Sequence, residues 1–306
     1  MTKPIILHVG ALVEPCAARY QAMFEVIEHL PGAALPALAG DVRALIAAAP
    51  VPGDLIAALP KLGLIAAFGT GVDKIDIAAA RARSIIVASA PDPTVGCVAD
   101  MAMALLLAAA RGIVRGDRFV REDAWPGGGF PLMPRLHSRK MGILGLGRIG
   151  QAIAKRAEAF DMEIAYHNRA RVPGSPYRFV TTVRELAEIA DILVVACPGG
   201  AATYHLVDAG VLRALGPRGI VVNIARGTII DEEALIDALE SRGIAAAGLD
   251  VFEHEPMVPA RLRACETAVL MPHRGGGTIE TWAETADDTI ANIRAFLRDE
   301  PPPGAL

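Results

Sequence analysis

The chain has 306 residues, 53% of them hydrophobic, and a formal net charge of −4, which leaves room for two domains with sizeable cores. It carries no basic run with interleaved aromatics, so nucleic acid is not an expected partner. Cys16, Cys97, Cys197 and Cys265 are scattered without a C-x-x-C pair, which argues against a disulfide framework or a metal site and fits a reducing, cytoplasmic setting.

The first residues, Met1 to His8, hold too short an apolar stretch for a signal peptide. Ile5–Val9 reads as a strand and Glu14–Leu30 as a helix. Leu62–Phe68 and Ile85–Ala88 read as further strands. A long helix is expected over Thr94–Arg111. Its apolar part, Val98–Ala110, is too short to span a bilayer and reads as buried, so no membrane contact is expected. The segment Gly116–Arg139 is rich in Gly and Pro, contains Trp125 and reads as irregular. A second alternating series follows, with strands at Met141–Leu144, Met162–Tyr166, Asp191–Ala196, Ile220–Ile224, Ala245–Leu249 and Ala268–Met271. That is about the strand count of a complete doubly wound dinucleotide domain. Thr278–Leu297 is again helical and is expected to return to the first domain. Such β/α alternation implies an α/β fold with two doubly wound parallel sheets.

The strand Met141–Leu144 feeds Gly145–Leu146–Gly147–Arg148–Ile149–Gly150, and Ile149, Ile153, Ala157 and Phe160 recur at helical spacing behind it. In this strand–turn–helix setting the glycines have distinct tasks. Gly145 permits the turn, Gly147 admits a pyrophosphate, and Gly150 lets helix and strand pack closely. The helix start, from Arg148 and Ile149, offers N–H groups to the anion. The second strand of such a domain normally ends in a carboxylate that grips the ribose 2′-hydroxyl of NAD. Here the strand end reads Tyr166–His167–Asn168–Arg169–Ala170–Arg171. Asn168 does not repel a 2′-phosphate, and Arg169 and Arg171 offer it charge-assisted hydrogen bonds, with a solvated loop as the alternative. NADP(H) is therefore expected over NAD(H).

Three later strands each end in a charged or titratable residue, at the sheet edge where open α/β folds hold ligands. The strand Ile220–Ile224 leads to Arg226, followed by Gly227 and by Asp231 as the cap of the next helix. The planar fork of Arg226 suits a ketone oxygen and a neighbouring carboxylate, with a surface ion pair as the alternative. The second segment is Asp250–Val251–Phe252–Glu253–His254–Glu255–Pro256. The third is Pro272–His273–Arg274–Gly275–Gly276–Gly277–Thr278. Glu255 is placed to hold the His273 imidazole and favour its protonated form.

Taken in order, Gly-Leu-Gly-Arg-Ile-Gly at 145–150, Asn-Ile-Ala-Arg-Gly at 223–227, Asp-Val-Phe-Glu-His-Glu-Pro at 250–256 and Pro-His-Arg-Gly-Gly-Gly-Thr at 272–278 closely resemble the D-isomer-specific 2-hydroxyacid dehydrogenases. The likeness is strongest to the glyoxylate/hydroxypyruvate and hydroxyphenylpyruvate reductase branch. It implies a Rossmann nucleotide-binding domain over 98–280 and a flavodoxin-like substrate domain over 1–97 plus 281–306, with the cleft between them. It also implies roles for single residues. Arg226 corresponds to the substrate-orienting arginine, Glu255 to the glutamate of the catalytic dyad and His273 to its acid/base. The loop Gly69–Thr70–Gly71–Val72 resembles the carboxylate-binding loop, where successive amides form an anion nest. Cys197, Pro198 and Asp250 match the nicotinamide side of the cleft, with a structural cap as the alternative for Asp250. Ala225 and Gly275 fall with the same cofactor contacts. Two departures from the usual pattern bear on cofactor packing. Cys197–Pro198–Gly199–Gly200 stands where Pro-Leu-Thr is common, and Asp100 where Glu is common.

The resulting expectation is an NADPH-preferring reductase that converts small 2-keto acids to D-2-hydroxy acids, assembled as a homodimer through the 116–139 arm. Two alternatives stand beside it. One is a larger, phenylpyruvate-type substrate. The other is a non-catalytic NAD(P)-sensing, corepressor-like protein, which would not need an intact Arg–Glu–His set.

Overall fold

The computed structural model describes residues 3–306. It divides into two compact units, one formed by Met1–Thr94 with Gly276–Leu306, the other by Val95–Gly275.

In the first unit, strands β1 (Ile5–Val9), β2 (Glu25–His29), β3 (Ala44–Ala47), β4 (Leu64–Ala67) and β5 (Ile86–Ala88) form one sheet in the order β2-β1-β3-β4-β5. Every pairing is parallel. This is the flavodoxin-like order. The row Leu7–Leu45–Ile65–Val87 runs straight across four strands. It packs on one face with Leu55, Ile56 and Ala80 from helices α2 (Gly53–Ala57) and α3 (Ile77–Ala82). The alternate residues Ile6, Ala44 and Leu64 face α1 (Cys16–Met23) and, in the described chain's last helix, Ala286, Ile290 and Ile293. Side chains that alternate between two covered faces are what a parallel sheet requires.

Two elements here differ from the sequence reading. The expected helix Glu14–Leu30 stops at Met23, because Phe24 is already extended, and Glu25–His29 pairs with β1. This edge strand includes β-branched Val26 and Ile27, and its intermediate exposure blurs the period-two pattern. The strand Ala44–Ala47 was not anticipated. Four small or apolar residues, three of them buried, show no period at all.

The second unit begins with α4 (Thr94–Arg111) and α5 (Ile113–Arg121). Strands β6 (Lys140–Leu144), β7 (Glu163–His167), β8 (Arg178–Phe179), β9 (Ile192–Val195), β10 (Ile220–Asn223), β11 (Ala246–Leu249) and β12 (Ala268–Leu270) follow. Between them lie α6 (Arg148–Glu158), α7 (Val183–Ile189), α8 (Ala209–Leu215), α9 (Glu232–Glu240) and α10 (Ala260–Ala264). The chain then re-enters the first unit with α11 (Ile279–Leu297). The sheet order is β12-β11-β10-β9-β6-β7-β8, all parallel. The order reverses between β6 and β9, the switch point at which such sheets open a crevice. The row Tyr166–Ile143–Val194–Val222–Gly248–Val269 lies against α4. A Cβ on Gly248 would sit 2.9 Å from Leu105 Cβ, so helix and sheet meet in full contact there. On the opposite face, a Cβ on Gly142 would sit 2.9 Å from Leu186 Cγ of α7. By length and composition alone α4 would suit a bilayer, yet Val98, Ala102, Leu105, Leu106 and Ala109 are core residues of this unit.

The arm expected to be irregular from Gly116 is helical as far as Arg121. Gly116 does not break α5, since its N–H donates to the Gly112 carbonyl at 2.8 Å. No residue of α5 is buried, although Ile113, Val114, Phe119 and Val120 are apolar, so its helical pattern is not matched by a core contact, and the Gly and Pro content of 116–139 hides it in sequence. Among the described residues no disulfide forms, and no group of three metal-binding side chains comes together.

Candidate active site

β6 ends at Leu144 and the glycine turn follows at once. Gly145 has φ +104°, and a Cβ there would fall 2.5 Å from the Cys197 nitrogen after β9. A Cβ on Gly150 would fall 2.1 Å from the Gly145 carbonyl oxygen. A Cβ on Gly147 would meet nothing within 4 Å, and no side chain caps α6, which starts at Arg148. This is a closed turn with one open position beneath a helix N-terminus, and it fits a pyrophosphate. Ile149 packs against the core. Asn168, just past β7, turns back to the same turn, its Oδ1 accepting the Leu146 N–H at 2.7 Å. Arg169 and Arg171 lie exposed in the loop beyond. No carboxylate occupies this strand end, so the donor set fits a 2′-phosphate. Across the switch point Pro198 is exposed and Cys197 half-buried. Burial pushes the Cys197 thiol up to about 11, which makes it a packing group and not a nucleophile.

β10 ends at Asn223, which is 1% exposed. Its amide clasps the next turn: Nδ2 donates to the Arg226 carbonyl at 2.9 Å, and Oδ1 accepts the Ala225 N–H at 3.0 Å. Arg226 is thus held at the strand end, with its Nη1 donating to the Ala225 carbonyl at 2.7 Å. Gly199 makes room for it, since a Cβ there would lie 2.7 Å from Arg226 Cγ. Gly199, the first of the two glycines that depart from the usual pattern, therefore holds space for the arginine stem. Asp231 caps α9 by accepting the Ala234 N–H.

β11 ends beside Asp250, also 1% exposed. Both carboxylate oxygens are used. Oδ1 accepts the Arg274 N–H and Oδ2 the Gly275 N–H, each at 2.7 Å. The Asp250 carbonyl accepts the His273 N–H at 2.8 Å. Burial raises the Asp250 carboxyl above its ordinary range, while the two amides pull the other way. These bonds fix the loop after β12, where His273 adopts φ +53°. A non-glycine residue in that region is held by its surroundings. The His273 ring meets Glu255 with Nδ1 2.9 Å from both Oε1 and Oε2. When Nδ1 gives its proton to this carboxylate bond, Nε2 is the nitrogen that exchanges protons with a ligand. Both side chains keep partial access to solvent, 40% for His273 and 23% for Glu255.

The structure thus brings His273 and Glu255 into direct contact. It links the Arg226 turn to the Glu255 loop through Gly227, where a Cβ would lie 1.9 Å from the Phe252 carbonyl carbon. Gly69–Val72 belongs to the first unit and follows β4. Gly69 is buried with φ +100°, and its carbonyl accepts the Ala90 N–H at 3.0 Å. The Thr70 and Thr94 hydroxyls lie 2.8 Å apart, while Thr70 and Gly71 are exposed. Sequence reading missed the roles of Asn223 and Glu232. A polar residue closing an apolar strand was the available signal for Asn223. Nothing local marked Glu232, which accepts the Glu253 N–H at 3.1 Å.

A family model described as the NAD-binding domain of D-isomer specific 2-hydroxyacid dehydrogenases matches residues 103–275. Hydroxyphenylpyruvate reductase from Plectranthus scutellarioides is 43% identical over 265 residues, covering 86% of this chain and 85% of that protein. A glyoxylate/hydroxypyruvate reductase A from Arabidopsis thaliana is 44% identical over 259 residues, covering 84% and 83%. The crystal structure of an NADPH-dependent glyoxylate/hydroxypyruvate reductase from Sinorhizobium meliloti, in complex with NADP and malonate, superposes with a TM-score of 0.95. It is 37% identical and covers 100% of this chain and 97% of that one.

Proposed function

The chain belongs to the D-isomer-specific 2-hydroxyacid dehydrogenase family, and on that premise we propose that it is an NADPH-preferring reductase of glyoxylate/hydroxypyruvate-type 2-keto acids that yields the D-2-hydroxy acid. It is an NAD(P)-dependent oxidoreductase of small keto acids. The observation that supports the chemistry best is the two-oxygen seat of His273 Nδ1 on Glu255, in the same unit as the Arg226 turn.

Gly145–Gly150, Asn168, Arg169 and Arg171 would hold the nicotinamide cofactor, which would supply the hydride for C2 of the keto acid. All other steps fall to the protein. Arg226 orients the substrate with its fork, one arm toward the ketone oxygen and one toward the carboxylate. The Gly69–Val72 amides take the carboxylate as an anion nest. His273 Nε2 gives a proton to the ketone oxygen as negative charge gathers there. Glu255 holds the ring in the orientation and tautomer that make this transfer direct. Proton donation of this kind is typically worth ~10²–10⁴ in rate. NADPH preference is supported by Asn168 at the strand end, beside Arg169 and Arg171, and by the NADPH-dependent relative.

An aromatic 2-keto acid is the second reading, favoured by the hydroxyphenylpyruvate reductase relative. A panel of glyoxylate, hydroxypyruvate and 4-hydroxyphenylpyruvate, each with NADPH and NADH, separates the two. The proposal expects the highest kcat/KM with NADPH and one of the two small acids. A maximum with the aromatic acid selects the second reading, and a maximum with NADH removes the cofactor assignment.

A further inference from the structure

The turn that carries Arg226 and the loop that carries Glu255 press directly on one another. A Cβ on Gly227 would lie 2.1 Å from the Phe252 oxygen and 2.3 Å from the Glu253 nitrogen. His205 is attached to both segments. Its backbone N–H donates to the Thr228 carbonyl at 2.9 Å, just beyond Arg226 and Gly227. Its ring Nε2 lies 3.0 Å from Glu253 Oε1. Tyr204 stacks on the His205 ring at 3.9 Å between centroids, and its hydroxyl lies 3.3 Å from the same Glu253 oxygen. The Glu253 backbone is held from another side by Glu232, and the neighbouring Phe252 N–H donates to Glu255 Oε1 at 3.3 Å. The backbone of 252 and 253 therefore sets where the Glu255 carboxylate lies.

Two features mark His205 as fixed by its surroundings. Its φ is +49°, a left-handed conformation in which a residue with a side chain persists only when neighbouring contacts determine it. Its side chain is 29% exposed and that of Glu253 12%, so water screens their bond weakly. Burial first, and the charge of Glu253 second among the raising influences, push the Glu232 carboxyl up. A donor facing Glu253 is what lets two carboxylates share this half-buried corner.

We propose that His205 is a positioning residue that locks the Arg226 turn and the Glu255 loop in register, and so seats Glu255 against His273. It acts through Glu253 and not on the substrate. This rests on the reductase reading above. The test compares wild type, His205→Ala, His205→Gln, Glu253→Gln and the His205→Ala/Glu253→Gln double variant. The readouts are NADPH oxidation with hydroxypyruvate, NADPH affinity by fluorescence titration, and crystal structures of wild type and His205→Ala. Loss of register by a fraction of an ångström to an ångström predicts a kcat lower by on the order of ten- to a hundredfold in His205→Ala, with NADPH affinity unchanged. His205→Gln, which retains an N–H donor, restores most of the rate. The double variant is no slower than the slower single one, because both remove one contact. The His205→Ala crystal shows the Glu255 carboxylate displaced from His273 Nδ1. Wild-type kcat in His205→Ala, losses that multiply in the double variant, or an unmoved Glu255 overturns the inference. If His205→Ala does not fold, Glu253→Gln against wild type decides by kcat and by the position of the Glu255 carboxylate in its crystal structure. A wild-type enzyme inert toward every 2-keto acid overturns the reductase reading instead, while the crystal comparison still decides the position of Glu255.

Discussion

Arg226 reaches its place through a neighbour's side chain. Asn223 closes the turn around it with two hydrogen bonds, and Gly199 leaves the space its stem fills. A lysine at 226 keeps the charge and loses the fork. Arg226→Lys should lower kcat/KM by ~10²–10³, the usual cost of removing one oriented donor from a developing oxyanion. Steady-state assays with hydroxypyruvate check this, and a near-wild-type value contradicts the orienting role. At the cofactor end, Asn168 is the residue on which selectivity turns. Asn168→Asp places a carboxylate where the 2′-phosphate is proposed to lie. The kcat/KM ratio of NADPH to NADH should fall by about tenfold or more, equivalent to about 1.4 kcal/mol. An unchanged ratio removes Asn168 from cofactor choice. The trio Arg226, Glu255 and His273 was legible in sequence because each follows an apolar strand inside a recognisable motif. Glu232 and His205 were not, because Glu253, the partner of both, lies in another segment and no local pattern announces them; Asn223 bonds within its own turn, and its one signal was a polar residue closing an apolar strand.

Strand ends do most of the placing in this protein, and two of them can be probed directly. Gly227 follows the β10 turn and packs on the backbone of Phe252. Its φ is not left-handed, so the demand on it is space alone. Gly227→Ala should cost about 1–3 kcal/mol of stability through overpacking and lower kcat as the two segments part. Thermal melts and turnover on one preparation test both effects, and an enzyme normal in both contradicts the packing. In the first unit, His8 near the end of β1 is 3% exposed, with Nδ1 3.0 Å from the Gly10 carbonyl. Burial pushes its imidazole below the ordinary 6.5. A lowered folded value means the neutral ring is the folded form. Its stabilising contribution is present above about 6.5 and lost as pH falls toward the lowered value. The melting temperature of wild type should therefore drop between about pH 7 and about pH 5 more than that of His8→Gln. Equal drops contradict the assignment. At this scale the sequence was readable where strands were long and apolar, as at Ile5–Val9 and Lys140–Leu144. It was misread at Glu25–His29 and at α5, where burial and periodicity part company.

Across the whole molecule, two parallel sheets with different strand orders are built from one continuous β/α alternation, and α11 returns the chain to the unit it started from. The alternation and the return helix were evident in sequence. The strand orders were not, because register between distant strands is set by packing such as Gly248 on Leu105. The arm after α4 is the part of the second unit that packs least. No residue of α5 is buried, Trp125 is 65% exposed and Leu132 102%. Apolar groups left this open are expected to be covered by a second copy of the chain. Sedimentation at micromolar concentration should give a dimer, and Leu132→Glu should weaken it; a wild-type monomer contradicts the assembly. The account as a whole stands on proton transfer by His273 supported by Glu255. The direct measurement is turnover of His273→Ala beside wild type with NADPH and hydroxypyruvate, with NADPH binding measured on the same samples. The account predicts a kcat lower by ~10²–10⁴ with NADPH affinity retained. Wild-type turnover in the variant would contradict it.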